Sequence, residues 1–117
     1  MREIEFRGYS YEDNQWHYGY IFIGAFETME IQEILTNKRF GIDENSMGEY
    51  TGFIDKNGNK IFEGDILDWD GIKCEVNFIS EKGMWAILDG LNTTKLDSST
   101  AKLCEVIDNI YDDERRE

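Results

Sequence analysis

Polar and apolar positions alternate with a period of two along much of this chain, and that period predicts strands. Ile4 and Phe6 alternate with Glu3, Glu5 and Arg7. A polar break follows at Glu12, Asp13 and Asn14; then Trp16, Tyr18, Tyr20 and Phe22 fall on one phase, with Ile21 and Ile23 on the other. Residues 2–11 and 15–24 read as a hairpin whose second strand is buried on both faces. Segment 27–38 carries Ile31, Ile34 and Leu35 at helical spacing among good helix formers. Glu27 and Glu30 near its start and Lys38 and Arg39 near its end suit a helix dipole, so a short helix or helical turn is expected there. A strand on Met29 and Ile31 is the rival reading. Residues 40–42 are a short strand candidate, and 43–46 a turn or single helical turn.

The second half has a clearer pattern. Asn57-Gly58 predicts a tight hairpin with positive φ angles, and Asp70-Gly71 a second one. Residues 61–69 read as a strand interrupted at Gly64, with Leu67 and Trp69 on one face and Asp68 and Asp70 on the other. Ile72, Cys74, Val76 and Phe78 alternate with Lys73, Glu75 and Asn77, the cleanest amphipathic strand in the chain. Glu81-Lys82-Gly83 turns it back into a strand over 84–88. Residues 89–100 look like loop, 103–107 like a last strand, and 112–117 like a frayed acidic tail. Short strands joined by tight turns in a chain of 117 residues suggest one all-β or β-dominated domain, a small barrel or a rolled pair of sheets.

Composition narrows the functional classes. Apolar residues make up 40% and aromatic residues 14%, which argues for a packed core over disorder. The net charge of −13 repels phosphate backbones and argues against direct binding of duplex nucleic acid. An acidic surface can instead meet a basic partner or imitate DNA, although a simply solvated acidic face is the commoner use. No apolar run is long enough to span a membrane, and no signal peptide is expected. Two cysteines outside any CxxC motif fit a reducing, cytoplasmic setting in a bacterial host cell.

The segment from Met47 to Ile66 carries a longer signal. It reads MGEYTGFIDKNGNKIFEGDI. This resembles the signature of the YopX family, small proteins of bacteriophages and prophages, whose pattern runs roughly G-x-Y-T-G-L-x-D-K-N-G-x-x-I-Y-E-G-D-I. Phe53 stands where Leu is usual and Phe62 where Tyr is usual. The opening MREIEFR and the stretch from Val106 to Tyr111 also resemble the family, with Asp108 where Gly is common. The resemblance implies an SH3-like barrel, here 48–111, with an N-terminal hairpin and a variable segment in 1–47 packed on it, all within one YopX-like domain over 1–117. It implies phage origin and brings no established biochemical activity. The signature residues Gly48, Tyr50, Thr51, Gly52, Asp55, Asn57, Gly58, Glu63, Gly64 and Asp65 are each expected to have a structural task.

Candidate chemistry is sparse. Asp55, Asn57 and Asn59 look like the start of a calcium loop, but such a loop needs Gly at position six and Glu at position twelve. Gly58 and Ile66 fall at the wrong places, so a hairpin turn is the better reading. Glu63, Asp65, Asp68 and Asp70 crowd carboxylates together, and paired carboxylates can do acid–base work or hold a metal for hydrolysis. Asp68 and Asp70 sit on a polar strand phase, and Asp65 beside Gly64 suits bonds to backbone N–H groups in its own turn. His17 is the only histidine, and Cys74 lies on an apolar face, where a buried thiol is the plain reading. No metal or cofactor is expected. The best binding candidates are Trp16, Tyr18 and Tyr20, since exposed aromatics on a strand can stack bases or grip peptide side chains, against the alternative that they fill the core. These readings converge on a non-enzymatic phage accessory protein acting through an unidentified protein partner, including a second copy of itself as a homo-oligomer. The alternative is a nucleic-acid role, through single-strand stacking or acidic DNA mimicry.

Overall fold

A computed structural model describes residues 3–116, and the chain divides into two compact units, one ending at Tyr50 and the next starting at Thr51. The β-dominated expectation holds in both.

The first unit holds β1 (Phe6–Ser10), β2 (Gln15–Ile23), β3 (Met29–Glu33), β4 (Arg39–Gly41) and the first residues of β5 (Gly48–Ile54), in the sheet order β4-β3-β2-β1-β5. Neighbours run antiparallel: Phe6 lies opposite Gly19, Ile21 opposite Ile31, Ile31 opposite Phe40, and Phe6 opposite Glu49. The predicted hairpin is therefore present as β1 and β2; its first residue, Arg2, lies outside the described set.

Two expectations are corrected here. Segment 27–38 is not a helix: β3 takes Met29–Glu33, and Ile31 is fully buried between Ile21 and Phe40. Strand pairing on both sides serves Ile31 better than a lone helical turn, and the other two residues of the helical spacing go unused, since Ile34 and Leu35 are exposed in the β3–β4 turn. Nor is β2 buried on both faces, because Tyr18, Tyr20 and Ile23 are exposed. Close approach fixes the β2–β3 pairing at Gly19, where a Cβ would sit on the carbonyl oxygen of Gln32.

The second unit holds the rest of β5, β6 (Lys60–Phe62), β7 (Asp65–Trp69), β8 (Ile72–Ile79), β9 (Met84–Leu88), β10 (Thr93–Lys95), α1 (Ser98–Ala101), β11 (Cys104–Asn109) and α2 (Ile110–Arg115). Five of these strands form a sheet in the order β10-β9-β8-β7-β11. Strands β7 to β10 meander, and β11 returns to pair with β7. The sheet is open, with β10 and β11 as its two edges, so the expected SH3-like barrel is not closed. The outermost strand β10 has three residues, too few to curl round and meet the far edge.

The inward phases of these strands, with Leu96 after β10 and Ala101 of α1, form one core: Ile61, Leu67, Cys74, Val76, Trp85, Ile87, Leu96, Ala101 and Cys104. Segment 89–100, read as loop, contains β10 and most of α1, which Asp97 caps by accepting a bond from the Thr100 N–H at 2.9 Å. Residues 112–115 of the expected frayed tail belong to α2, with Asn109 accepting from the Asp112 N–H at 2.8 Å and Arg116 bonded to Asp108 at 2.6 Å, while Glu117 lies outside the described residues.

The signature turn differs in detail from the expected two-residue hairpin. Of Asn57 and Gly58, only Gly58 has positive φ, at 84°. The loop is organised by Asp55, which is buried and whose Oδ1 accepts the N–H groups of Asn57 at 2.9 Å and Asn59 at 2.8 Å. Its other oxygen accepts the Val106 N–H of β11 at 2.9 Å, and the next residue, Lys56, donates its N–H to the Cys104 carbonyl at 3.0 Å. Burial pushes the Asp55 carboxyl up, but the N–H groups of Val106, Asn59 and Asn57 outweigh it and hold the group below its ordinary value. Asp70 and Gly71, by contrast, both have positive φ, at 52° and 87°, as the second hairpin was expected to require.

Asp55→Ala is expected to lower stability by about 3 kcal/mol, because three backbone donors lose one charged acceptor; denaturant unfolding measures it. A depressed folded-state pKa stabilises above the unfolded value and is lost as pH falls through the folded one, so the wild type should lose stability on acidification. Asp55→Asn should show a shallower acid limb than the wild type.

Candidate functional site: the aromatic and acidic face of the first sheet

Strand β2 sorts its side chains by phase. Trp16, Tyr18, Tyr20 and Phe22 alternate on one face, and cross-strand partners complete that face: Tyr9 opposite Trp16, Arg7 opposite Tyr18, Gln32 opposite Tyr20 and Glu30 opposite Phe22. Tyr18 is 42% exposed and Tyr20 46% exposed, while Trp16 is half-buried. At one end Tyr9 packs edge-on against Trp16 with ring centres 5.7 Å apart, and the Arg7 guanidinium lies 5.0 Å from the Trp16 ring centre. At the other end the Arg39 guanidinium lies 4.2 Å from the Phe22 ring centre. Arg39 also donates from Nε to Gln32 Oε1 at 2.9 Å and approaches Glu30 at 4.0 Å.

His17 belongs to the opposite phase and is buried. Its Nδ1 is 2.9 Å from Glu33 Oε2 and its Nε2 is 2.8 Å from Asp13 Oδ2. Carboxylates only accept, so both contacts are hydrogen bonds when both ring nitrogens carry protons. The ring also stacks on Phe40, with centres 3.7 Å apart and planes 12° from parallel. The histidine thus ties the β1–β2 turn to β3 and β4, with both nitrogens engaged. Its bond lowers the Glu33 carboxyl below the ordinary value, and the Thr36 hydroxyl, donating to Glu33 Oε1 at 2.9 Å, adds to this.

His17, Glu33 and Thr36 also line a cavity of about 320 Å³, together with Glu5, Trp16, Tyr18, Ile34 and Leu35. Leu35, at 97% exposure, stands at the tip of the β3–β4 turn. Sequence reasoning found Trp16, Tyr18 and Tyr20 but missed Asp13, Glu33 and Phe40 around His17, because their proximity depends on strand register. The one legible sign was a lone histidine next to a polar break.

The other candidates lie elsewhere and are held in structural bonds. Asp65 is buried, and its Oδ2 accepts the Phe62 N–H at 2.7 Å. Asp68 accepts the Gly71 N–H at 2.7 Å in the β7–β8 turn. Asp65 shares the inward phase of Leu67, whereas Asp68 takes the other, so these carboxylates do not converge. Thr51 donates to the Ile61 carbonyl at 2.8 Å, Gly52 and Gly64 have φ near 90°, Tyr50 is buried and Gly48 pairs opposite Arg7. Glu63 lies half-buried beside Gly64 in the β6–β7 turn. Among the described residues no three His, Cys, Asp or Glu side chains gather as metal ligands would. Cys74 and Cys104 are both free thiols in the core. Burial pushes both up, Cys104 to about 11.

His17→Ala is expected to cost about 2–4 kcal/mol in a denaturant melt, since it opens the Phe40 stack and leaves two carboxylates without their donor. The lowered Glu33 carboxyl stabilises above its unfolded value and loses that contribution as pH falls through its folded value, so the variant should also be less acid-sensitive than the wild type. In a thiol-reagent assay at neutral pH, Cys74 and Cys104 should stay unmodified in the native protein and react together on unfolding.

A search of curated proteins finds no match to this chain. A family model, described as YopX protein, matches residues 5–116, nearly the whole chain. The match takes in the first sheet with its aromatic face as well as the Asp55 turn, and the chain belongs to the YopX protein family.

Proposed function

We propose that the protein is a non-enzymatic interaction module, an accessory protein of a phage or prophage that works inside the bacterial host cell by binding another protein. The observation that carries this reading is the exposed pair Tyr18 and Tyr20 on a strand held from both sides by β1 and β3. Large rings on a rigid strand present contact area with little side-chain entropy to lose, which suits a protein interface. The groups with catalytic potential support the same reading, because His17, Asp55, Asp65 and both thiols are engaged in or buried by the fold.

Charge favours a protein over a nucleic acid as the partner. Glu5 and Glu33 line the cavity next to the aromatic residues, and the whole chain carries −13. A phosphate backbone tracking across the rings would meet like charge.

Affinity capture from phage-infected host lysate with a tagged chain, with and without nuclease, tests the proposal. A specific protein should remain bound after nuclease and be lost from a Tyr18→Ser, Tyr20→Ser double variant. Retention of nucleic acid alone, or of nothing, would overturn it.

A further inference from the structure

Asn57-Gly58 is the one place in the sequence where asparagine precedes glycine. That pair carries an intrinsic reaction, because glycine has no side chain to shield its nitrogen from the neighbouring side-chain amide. The nitrogen of Gly58 gives its proton to hydroxide and bonds to Cγ of Asn57. The Cγ–Nδ2 bond breaks, and Nδ2 takes a proton back from water and leaves as ammonia. Water then opens the cyclic imide. Opening at Cγ leaves an aspartate; opening at the backbone carbonyl leaves an isoaspartate, whose main chain runs through Cβ and Cγ and is one carbon longer.

Both residues are exposed, as the reaction requires, and a Cβ placed on Gly58 would meet nothing within 4 Å. In the folded turn, though, the attacking nitrogen is engaged: its N–H donates to the Asp55 carbonyl at 3.1 Å. On either side the N–H groups of Asn57 and Asn59 are held by Asp55 Oδ1, at 2.9 and 2.8 Å. The Asp55 N–H in turn donates to the Asn59 carbonyl at 2.8 Å. A hydrogen-bonded N–H is harder to deprotonate, and a backbone pinned on both sides of the pair does not swing its nitrogen onto Cγ.

We propose that Asn57 is a site of spontaneous deamidation restrained by Asp55, and that the modification releases β11 from the turn. The reaction proceeds when the turn opens, and its products do not let the turn close again. The imide has no Gly58 N–H left to donate. The isoaspartate adds a carbon between two N–H groups that one oxygen now holds together. Either acid also sets a new negative charge two residues from the Asp55 carboxylate. Asp55 Oδ2 accepts the Val106 N–H, and the Lys56 N–H donates to the Cys104 carbonyl, so both bonds to the edge strand depend on this turn.

The test is incubation of the full chain at mildly alkaline pH, followed by peptide mapping with electron-transfer fragmentation, which tells isoaspartate from aspartate. A synthetic peptide of residues 53–61 gives the unrestrained rate. The native chain should react at least about tenfold more slowly than the peptide, since opening the turn breaks several bonds of about 1 kcal/mol each. Asp55→Asn keeps the side chain's shape and weakens its acceptor, and should bring the rate toward that of the peptide. His17→Ala, a loss placed away from the turn, should not. On the wild type, denaturant below the unfolding transition should already raise the rate. Equal rates in chain and peptide, equal acceleration by the two variants, or a rate that climbs only with global unfolding would overturn the restraint. Hydrogen exchange on the purified isoaspartate form should show lost protection at the Val106 and Lys56 amides with β8 unchanged, and protection kept at both amides would overturn the release.

Discussion

One buried carboxylate organises the second unit. Asp55 folds its own turn by accepting the N–H groups of Asn57 and Asn59, and it reaches across 51 positions of sequence to the N–H of Val106. A charged acceptor in a dry place is costly unless its lone pairs are filled, so the donors must be in position for the turn to exist. That requirement couples a local loop to the last strand of the sheet. It explains why the longest recognisable motif in the sequence contains so few groups available for chemistry. Thr51, Gly58, Gly64 and Asp65 set backbone geometry around the same turn and the next one.

The first unit depends on a different polar device. Its sheet has a thin core in which, among the described residues, Ile31 is the one large apolar side chain fully removed from water. His17 supplements it by joining two carboxylates and a ring from other parts of the unit. With the buried phase of β2 committed in this way, the opposite phase carries its tyrosines outward. Stability and surface are thus divided between alternate residues of one strand.

The sequence made strands legible where one face is buried and the other wet. On β8 the alternation through Cys74 and Val76 matches burial, although Ile72 and Phe78 at its ends are exposed beyond the core. The two-residue turn at Asp70-Gly71 was legible because only one backbone geometry suits it. Segment 27–38 was not, since three apolar residues at helical spacing cannot reveal that Ile31 will have a strand on each side. Barrel closure was equally hidden, being a property of how the edge strands end and not of any one strand's pattern. At the candidate site, Trp16, Tyr18 and Tyr20 could be singled out by residue type, but Glu33 and Asp13 reach His17 only through a register that local spacing does not encode.

Strand β11 lies at an edge of its sheet, where a row of unpaired backbone groups would invite a strand from another molecule. Its outward groups include the Cys104 carbonyl and the Val106 N–H, and both are already taken by Lys56 and Asp55. The signature turn therefore acts as a guard on that edge, occupying with a loop the positions that an intruding strand would need. At the opposite edge β10 offers three residues, a short template for the same mishap. At β11, then, the turn that the sequence makes most recognisable also takes up backbone groups that would otherwise face outward from the sheet.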